Sequence, residues 1–234
     1  MTGATAPINA ITISQSLPIR TQFLPDGNCK IAHKTIRFHP ISCGRAVKAA
    51  APSLEDEIPP NARLRKEDSL WRGGFSLGVD LGSARTGLAI SKGFVIRPLT
   101  VLELKGQKLE LRLLDIAQSK EVDEFIIGLP VSIDGKETPQ SNKVRSVAGR
   151  LAIRAAERGW RVYLQNEHGT STEALHKMID EGLNSADRHG RLDAYAAAML
   201  LERYFTQSGG GVELVFPKQL DLQVKLRQFS ARNV

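Results

Sequence analysis

Residues 75–91 read FSLGVDLGSARTGLAIS: an apolar run, a lone carboxylate at Asp80, a glycine-rich turn, and a second apolar run from Thr86 to Ser91. Two short apolar runs joined by Gly and Ser predict a β-hairpin. Asp80 closes the first strand, where a folded core must desolvate its charge, and such a charge is rarely left unpaired. Gly82, with no Cβ, lets another group approach the backbone beside that carboxylate and permits positive φ in the turn. Taken alone, a D-x-G of this kind also suits an Asp that merely caps a turn, so the rest of the chain has to decide.

Beyond the hairpin, Val95–Leu104 alternates as a third antiparallel strand, with Arg97-Pro98 marking an irregularity or an edge. Gln107–Ser119 carries Leu109, Leu113, Leu114 and Ile116 or Ala117 at helical spacing. A strand over Glu124–Ile127 runs into Gly128-Leu129-Pro130, and the following loop contains the turn dipeptide Asp134-Gly135. Gln140–Arg158 reads as a helix buried along Val144, Val147, Ala148, Leu151 and Ala155. A short strand over Arg161–Leu164 follows, then a helix Thr172–Glu181 capped by Thr170 or Ser171, with Glu173 in its first turn. Gly190 precedes a last helix, Leu192–Tyr204, whose alanines allow close approach to a sheet. The order predicts an α/β domain over 75–206, with a mixed five-stranded sheet, three antiparallel strands then parallel additions, flanked by helices. The extension over 207–234 begins with Gly209-Gly210-Gly211, and its run Val212–Phe216 either adds an edge strand or stays disordered.

The first 54 residues differ in kind. They hold six bases (Arg20, Lys30, Lys34, Arg37, Arg45, Lys48) against one acid, Asp26, and are scattered with Ser and Thr. That composition predicts an organellar transit peptide, plastid before mitochondrial, processed near Ala49–Ala51. The whole chain has 32 Lys plus Arg against 25 Asp plus Glu, a net charge of +7. Without the first 54 residues the balance is 26 bases to 24 acids, so the basic pI is poor evidence for nucleic-acid binding. Cys29 and Cys43 leave with the same segment, which excludes a disulfide framework, a thiolate zinc site and a cysteine nucleophile in the remainder. About 180 residues remain, enough for one core, and no apolar run is long enough to span a bilayer. Residues 55–74, with Pro59-Pro60 and a Lys/Arg/Glu cluster, read as a linker ending at Trp71, which is expected to pack on the domain edge.

Three acids fall at element boundaries: Asp80, Glu167 after the strand Arg161–Leu164, and Asp193 in the first turn of the last predicted helix. If the strands are neighbours, these converge on one rim, where three carboxylates repel unless cations neutralise them. Hard oxygen donors suit Mg²⁺ or Mn²⁺ rather than zinc. Two such ions roughly 3.5–4 Å apart activate a water and stabilise both oxygens of an in-line phosphodiester displacement. The plainer reading has Asp193 complementing a helix dipole, Glu167 exposed in a loop and Asp80 in a turn.

At this point the residues resemble a known family. LGVDLGSARTGLAIS is similar to the first motif of the YqgF/RuvX family, named for pre-16S rRNA processing and for Holliday junction resolution. Phe125-Ile126-Ile127-Gly128-Leu129-Pro130 with Asp134-Gly135 and Gln140 resembles the second motif, Asn166-Glu167-His168 followed by Thr170, Thr172, Glu173 and Ala174 the third, and Leu192-Asp193-Ala194-Tyr195-Ala196-Ala197 the fourth. The four stand in family order over roughly Phe75–Phe205. The resemblance implies an RNase H-like fold and a metal-dependent nuclease whose Asp80, Glu167 and Asp193 are catalytic and hold Mg²⁺ or Mn²⁺, two ions in all. It implies structured RNA, an rRNA precursor, as substrate, with chloroplast rRNA the case in a plastid. Where the family usually has Asp-Glu-Arg, this chain has Asn166-Glu167-His168. Asn adds no negative charge and His is no permanent cation, so metal support and phosphate contact are weakened there.

Arg85, Lys136, Lys143 and Arg145 are the candidate phosphate contacts, Arg85 the best placed of them. Two other readings remain beside rRNA processing: a nuclease for branched DNA, and a catalytically weakened relative that only binds rRNA or the ribosome. DLGSARTGLAI also looks like the phosphate-binding hairpin of sugar kinases and actin-like ATPases, but those need a second, duplicated domain that the remaining chain cannot supply.

Overall fold

The computed structural model describes residues 58–68, 70, 73–93 and 95–230. The segment 1–54 and Trp71, for which the sequence raised expectations, lie outside these residues. A sheet of six strands is flanked by helices on both faces. In chain order the elements are α1 (Asn61–Glu67), β1 (Phe75–Leu81), β2 (Thr86–Lys92), β3 (Val95–Leu102), α2 (Gly106–Lys120), β4 (Val122–Leu129), α3 (Pro139–Ala156), β5 (Arg161–Asn166), α4 (Thr170–Asp180), α5 (Ser185–Thr206), β6 (Glu213–Leu214) and α6 (Leu220–Ser230). The strand order is β3-β2-β1-β4-β5-β6.

The expected hairpin is present, with Asp80 paired to Gly87 and Leu81 to Thr86. β3 adds antiparallel to β2 as an edge strand, and its register slips where Leu88 pairs with Thr100 but Ala89 with Pro98. Proline has no N–H for a ladder, so the irregularity falls where the sequence placed it. β1, β4 and β5 run parallel, Val79 beside Ile127 and Ile127 beside Leu164. The mixed α/β sheet is therefore as expected, with six strands in place of five. The sixth is β6, antiparallel to β5 through Tyr163 and Leu214, with Val215 N–H donating to the Val162 carbonyl at 2.8 Å. Gly209 and Gly211, both at positive φ, turn the chain back to make this possible.

Side chains alternate across the sheet. Leu77, Val79 and Leu81 join Leu113, Phe125, Val144 and Leu151 in the core on the α2 and α3 side. The opposite core gathers Ala89, Ile126 and Tyr163 beneath Ala197, Leu201 and Tyr204 of α5. A Cβ on Gly78 would stand 2.7 Å from the Ala197 carbonyl oxygen, so α5 lies directly on the strand.

Two helix starts differ from expectation. α5 begins at Ser185, because the Asn184 side chain accepts from Asp187 N–H at 2.9 Å and caps the helix there. Gly190, read as preceding the helix, lies inside it. α4 begins at Thr170 with Gly169, at φ 82°, in the N-cap position and no side-chain cap.

Part of the stretch expected to be a linker is ordered structure. Ile58, Asn61 and Ala62 are buried, and α1 is fixed by a polar network at the end of the sheet where β4 and β5 begin. Glu124, fully buried, accepts from Asn61 N–H at 3.0 Å, Ser76 Oγ at 2.5 Å and Tyr204 OH at 2.7 Å. Arg161 donates to Asp123 at 2.6 Å and to the Pro59 carbonyl at 2.8 Å, and lies 3.7 Å from Glu124. Burial pushes the Glu124 carboxyl above its ordinary range even though Arg161 pulls the other way.

Candidate active site

Alternation puts Asp80 on the α5 side of β1, along with Ser76 and Gly78. Its cross-strand partner in β2 is Gly87, and in β4 the register that pairs Val79 with Ile127 brings Gly128 alongside. Both glycines are filled from above. A Cβ on Gly87 would stand 1.9 Å from the Asp193 carbonyl oxygen, and a Cβ on Gly128 would stand 1.9 Å from Glu167 Oε2. α5 thus delivers Asp193 on one side of Asp80, and the end of β5 delivers Glu167 on the other. The Glu167 backbone is held by Leu129, whose carbonyl takes its N–H at 3.2 Å, and by Thr170, whose N–H and Oγ1 donate to its carbonyl at 3.0 and 2.9 Å. Gln140 donates to the Leu81 carbonyl at 3.1 Å, fixing the end of β1 next to Asp80.

The three acids the sequence singled out are therefore brought together, with Asp80 in the middle. Burial raises Asp80 to about 6, with Asp193 adding to the effect. Burial raises Glu167 to about 8, with Asp80 adding to the effect. Glu167 Oε2 is buried with no hydrogen-bond partner in the structure. Asp193 is paired instead, with Arg85 Nε at 2.9 Å from its Oδ2. Among the described residues no group of three His, Cys, Asp or Glu side chains stands as a ready metal cage; the arrangement is two neighbouring carboxyls whose burial disfavours ionisation and a third paired with an arginine.

The plainer reading of these acids fails at each position. Asp193 lies roughly two turns into α5, beyond the reach of the helix dipole. Glu167 is not a solvated loop residue, and Asp80 sits within β1 rather than in the turn. Gly82 plays a smaller part than expected: its φ is not positive, and the atom nearest a Cβ there would be the Arg85 carbonyl of the same turn at 2.7 Å.

The basic candidates separate. Arg85 is at the site. Lys136 pairs with Asp134 at 2.9 Å on the exposed loop. Arg145 is held by Glu137 at 2.6 Å and Glu213 at 2.7 Å, which ties α3 to β6. Lys143 is exposed on α3, beside the β1–β2 turn. Asn166, where the sequence departs from the expected motif, is exposed and accepts from His168 N–H at 2.8 Å. It therefore shapes the loop, a task for which a neutral amide oxygen suffices. Arg203 braces the same loop, donating to the Asn166 and His168 carbonyls at 3.1 and 3.0 Å and to Glu173 at 2.8 Å.

The family model described as "RuvX: Holliday junction resolvase" matches residues 74–207. The chain belongs to the RuvX family. A RuvX relative from Anaeromyxobacter dehalogenans (strain 2CP-C), named "Putative pre-16S rRNA nuclease", is 35% identical over 130 residues, 54% of this chain and 93% of the relative. One of the same name from Escherichia coli O157:H7 is 31% identical over 137 residues, 57% of this chain and 97% of the relative. Among solved structures, Thermus thermophilus RuvC in complex with a Holliday junction substrate aligns at TM-score 0.42 and 18% identity, covering 61% of this chain and 99% of that one. RuvX membership places the chain among nucleases, hydrolases of phosphodiester bonds. α1, β6 and α6 lie outside the matched RuvX residues.

Proposed function

We propose that the chain is a divalent-metal-dependent nuclease acting on structured RNA, the ends of rRNA precursors in a plastid. The observation that carries the reading is the orphaned, buried Glu167 Oε2 beside Asp80. Two carboxylates that resist ionisation together are stabilised when a cation of opposite charge joins them. An all-oxygen donor set of this kind fits Mg²⁺ or Mn²⁺. Asp80 and Glu167 would hold the ion, and Asp193 would join when Arg85 moves onto a substrate phosphate. The bound metal supplies an activated water and charge stabilisation at the phosphorus. The chain's own part is to fix the three acids through Gly87, Gly128, Thr170 and Gln140, and to present Arg85 to the phosphate.

The relatives' names support RNA as the substrate, and the description of the family model supports branched DNA as the second reading. The acid-poor, hydroxyl-rich first 54 residues support plastid import. Incubating the protein with an rRNA precursor transcript and a four-way DNA junction side by side, in Mg²⁺ and in Mn²⁺, tests the choice. Cleavage of the transcript alone is expected. Cleavage of the junction alone transfers the assignment to branched DNA, and RNA binding without cleavage in either metal leaves a binding protein. Fusing residues 1–54 to a fluorescent reporter tests the compartment: plastid fluorescence is expected, and mitochondrial fluorescence contradicts it.

A further inference from the structure

A pocket of about 220 Å³ opens at the same rim as the carboxylates but on the opposite face of the sheet. Asp80 and Leu81 are consecutive, so they face opposite sides: Asp80 toward α5, Leu81 into the pocket wall. The floor is aliphatic, from Leu104, Leu109 and Val147, and one side is the β1–β2 turn at Gly82–Ala84. Lys105 and Lys143 stand at its edge, and none of its lining residues is acidic.

The charge balance around the rim separates these lysines from the other bases there. Arg85, Lys136 and Arg145 are each held by a carboxylate of the chain. Lys105 and Lys143 have no acid partner among the described residues, and both line this one pocket. The N-terminus of α2 borders it as well, with no side-chain cap and no acid in its first turn, so its free N–H groups add to the positive potential. An apolar floor with a few cations at its edge is the make-up of a small-molecule subsite. At this volume it is below the roughly 300–1,000 Å³ of pockets that enclose whole drug-sized ligands. It admits one ring system.

We propose that this pocket binds a single nucleotide of the substrate strand next to the one being cleaved, its base against Leu104, Leu109 and Val147 and its flanking phosphates on Lys105 and Lys143. The strand then crosses the β1–β2 turn, with the scissile phosphate on the Asp80 side and the neighbouring base on the Leu81 side. The pocket holds substrate in register without reading sequence through charge. The proposal rests on the nuclease reading for the identity of its ligand, but its binding does not require the metal site.

The test is fluorescence anisotropy with a labelled single-stranded RNA dodecamer, full-length protein and EDTA throughout, over a salt series. Lys105→Ala with Lys143→Ala is expected to weaken binding about tenfold and to flatten the dependence of log K on log salt by about 1.4, the loss of two single-strand phosphate contacts. Ala84→Trp, at an exposed position of the turn, blocks the pocket without altering charge. It is expected to weaken binding severalfold at unchanged slope. Parent affinity and slope in the double lysine variant, or parent affinity in Ala84→Trp, overturns the proposal, as does a parent protein that binds no RNA. A parent that binds with these losses but cleaves nothing in any metal removes the nuclease reading and keeps the pocket.

Discussion

Gly128 leaves open the space that Glu167 fills: a Cβ on the glycine would stand 1.9 Å from Oε2 of the glutamate. Strand β4 thereby sets the position of a carboxylate that belongs to the end of β5. Gly128→Ala is expected to displace Glu167 while the fold persists, because the carboxylate end can move toward solvent. A misplacement of about 1 Å in a catalytic group costs on the order of a hundredfold in rate. Cleavage assays and circular dichroism on the same sample check this; full activity in a folded Gly128→Ala protein would show that the position of Glu167 is immaterial.

The raised carboxyls make metal-free stability depend on pH. Glu167 rises from 4.5 to about 8 and Asp80 from 3.8 to about 6, so between those limits the folded chain binds more protons than the unfolded one. Stability contributed by these groups is thus full below about pH 4 and declines as pH climbs toward 8. In EDTA, the melting temperature of the parent relative to Glu167→Gln should drop from pH 5 to pH 8. Added Mg²⁺ should stabilise the parent more at pH 8 than at pH 5. Parallel melting curves for parent and variant across that range would contradict the assignment.

Arg85 has two effects of opposite sign. Its guanidinium neutralises Asp193, so Arg85→Ala should strengthen Mn²⁺ binding severalfold in a calorimetric titration by removing a competing cation. The same variant should bind RNA more weakly and with a shallower salt dependence, having lost one phosphate contact. Weaker metal binding in Arg85→Ala would mean that Arg85 positions Asp193 for the ion rather than standing in for one.

At the far end of the sheet, Arg161 pairs with Asp123 at 2.6 Å and lies 3.7 Å from Glu124. Arg161→Met leaves the fully buried Glu124 and the half-buried Asp123 without it and is expected to cost about 3–5 kcal/mol in urea unfolding. A loss under about 0.5 kcal/mol, the usual size of a surface substitution, would show that the network contributes little to the stability of the domain.

How far these features were legible in the chain depends on the residue. Asp80 stands out because a charge interrupts an apolar run, and the alanines of α5 announce close packing on the sheet. Gly87 and Gly128 carry a weaker signal: a glycine inside a strand suggests close approach of another group, but spacing alone does not say that α5 fills one and Glu167 the other. Gly190 misplaced the start of α5, since a tolerated helix glycine and a boundary glycine look alike until Asn184 is seen to cap the helix. α1 looks like linker in the sequence because its seven residues are too short and too basic to show a periodic face. Its place in the fold comes from distant partners, Glu124 and Tyr204. β6 has no clear local signal because a two-residue strand takes its stability from the edge of β5 rather than from local pattern.

The proposed nuclease requires Asp80, Glu167 and Asp193 to act as one cation-holding unit. Single-turnover cleavage of an rRNA precursor transcript in Mn²⁺, by the parent and by Asp80→Asn, Glu167→Gln and Asp193→Asn, tests it most directly. Each variant is expected to fold and to lose at least about a hundredfold in rate, with double variants falling little further because the residues work together. A folded variant that cuts at the parent rate would contradict it.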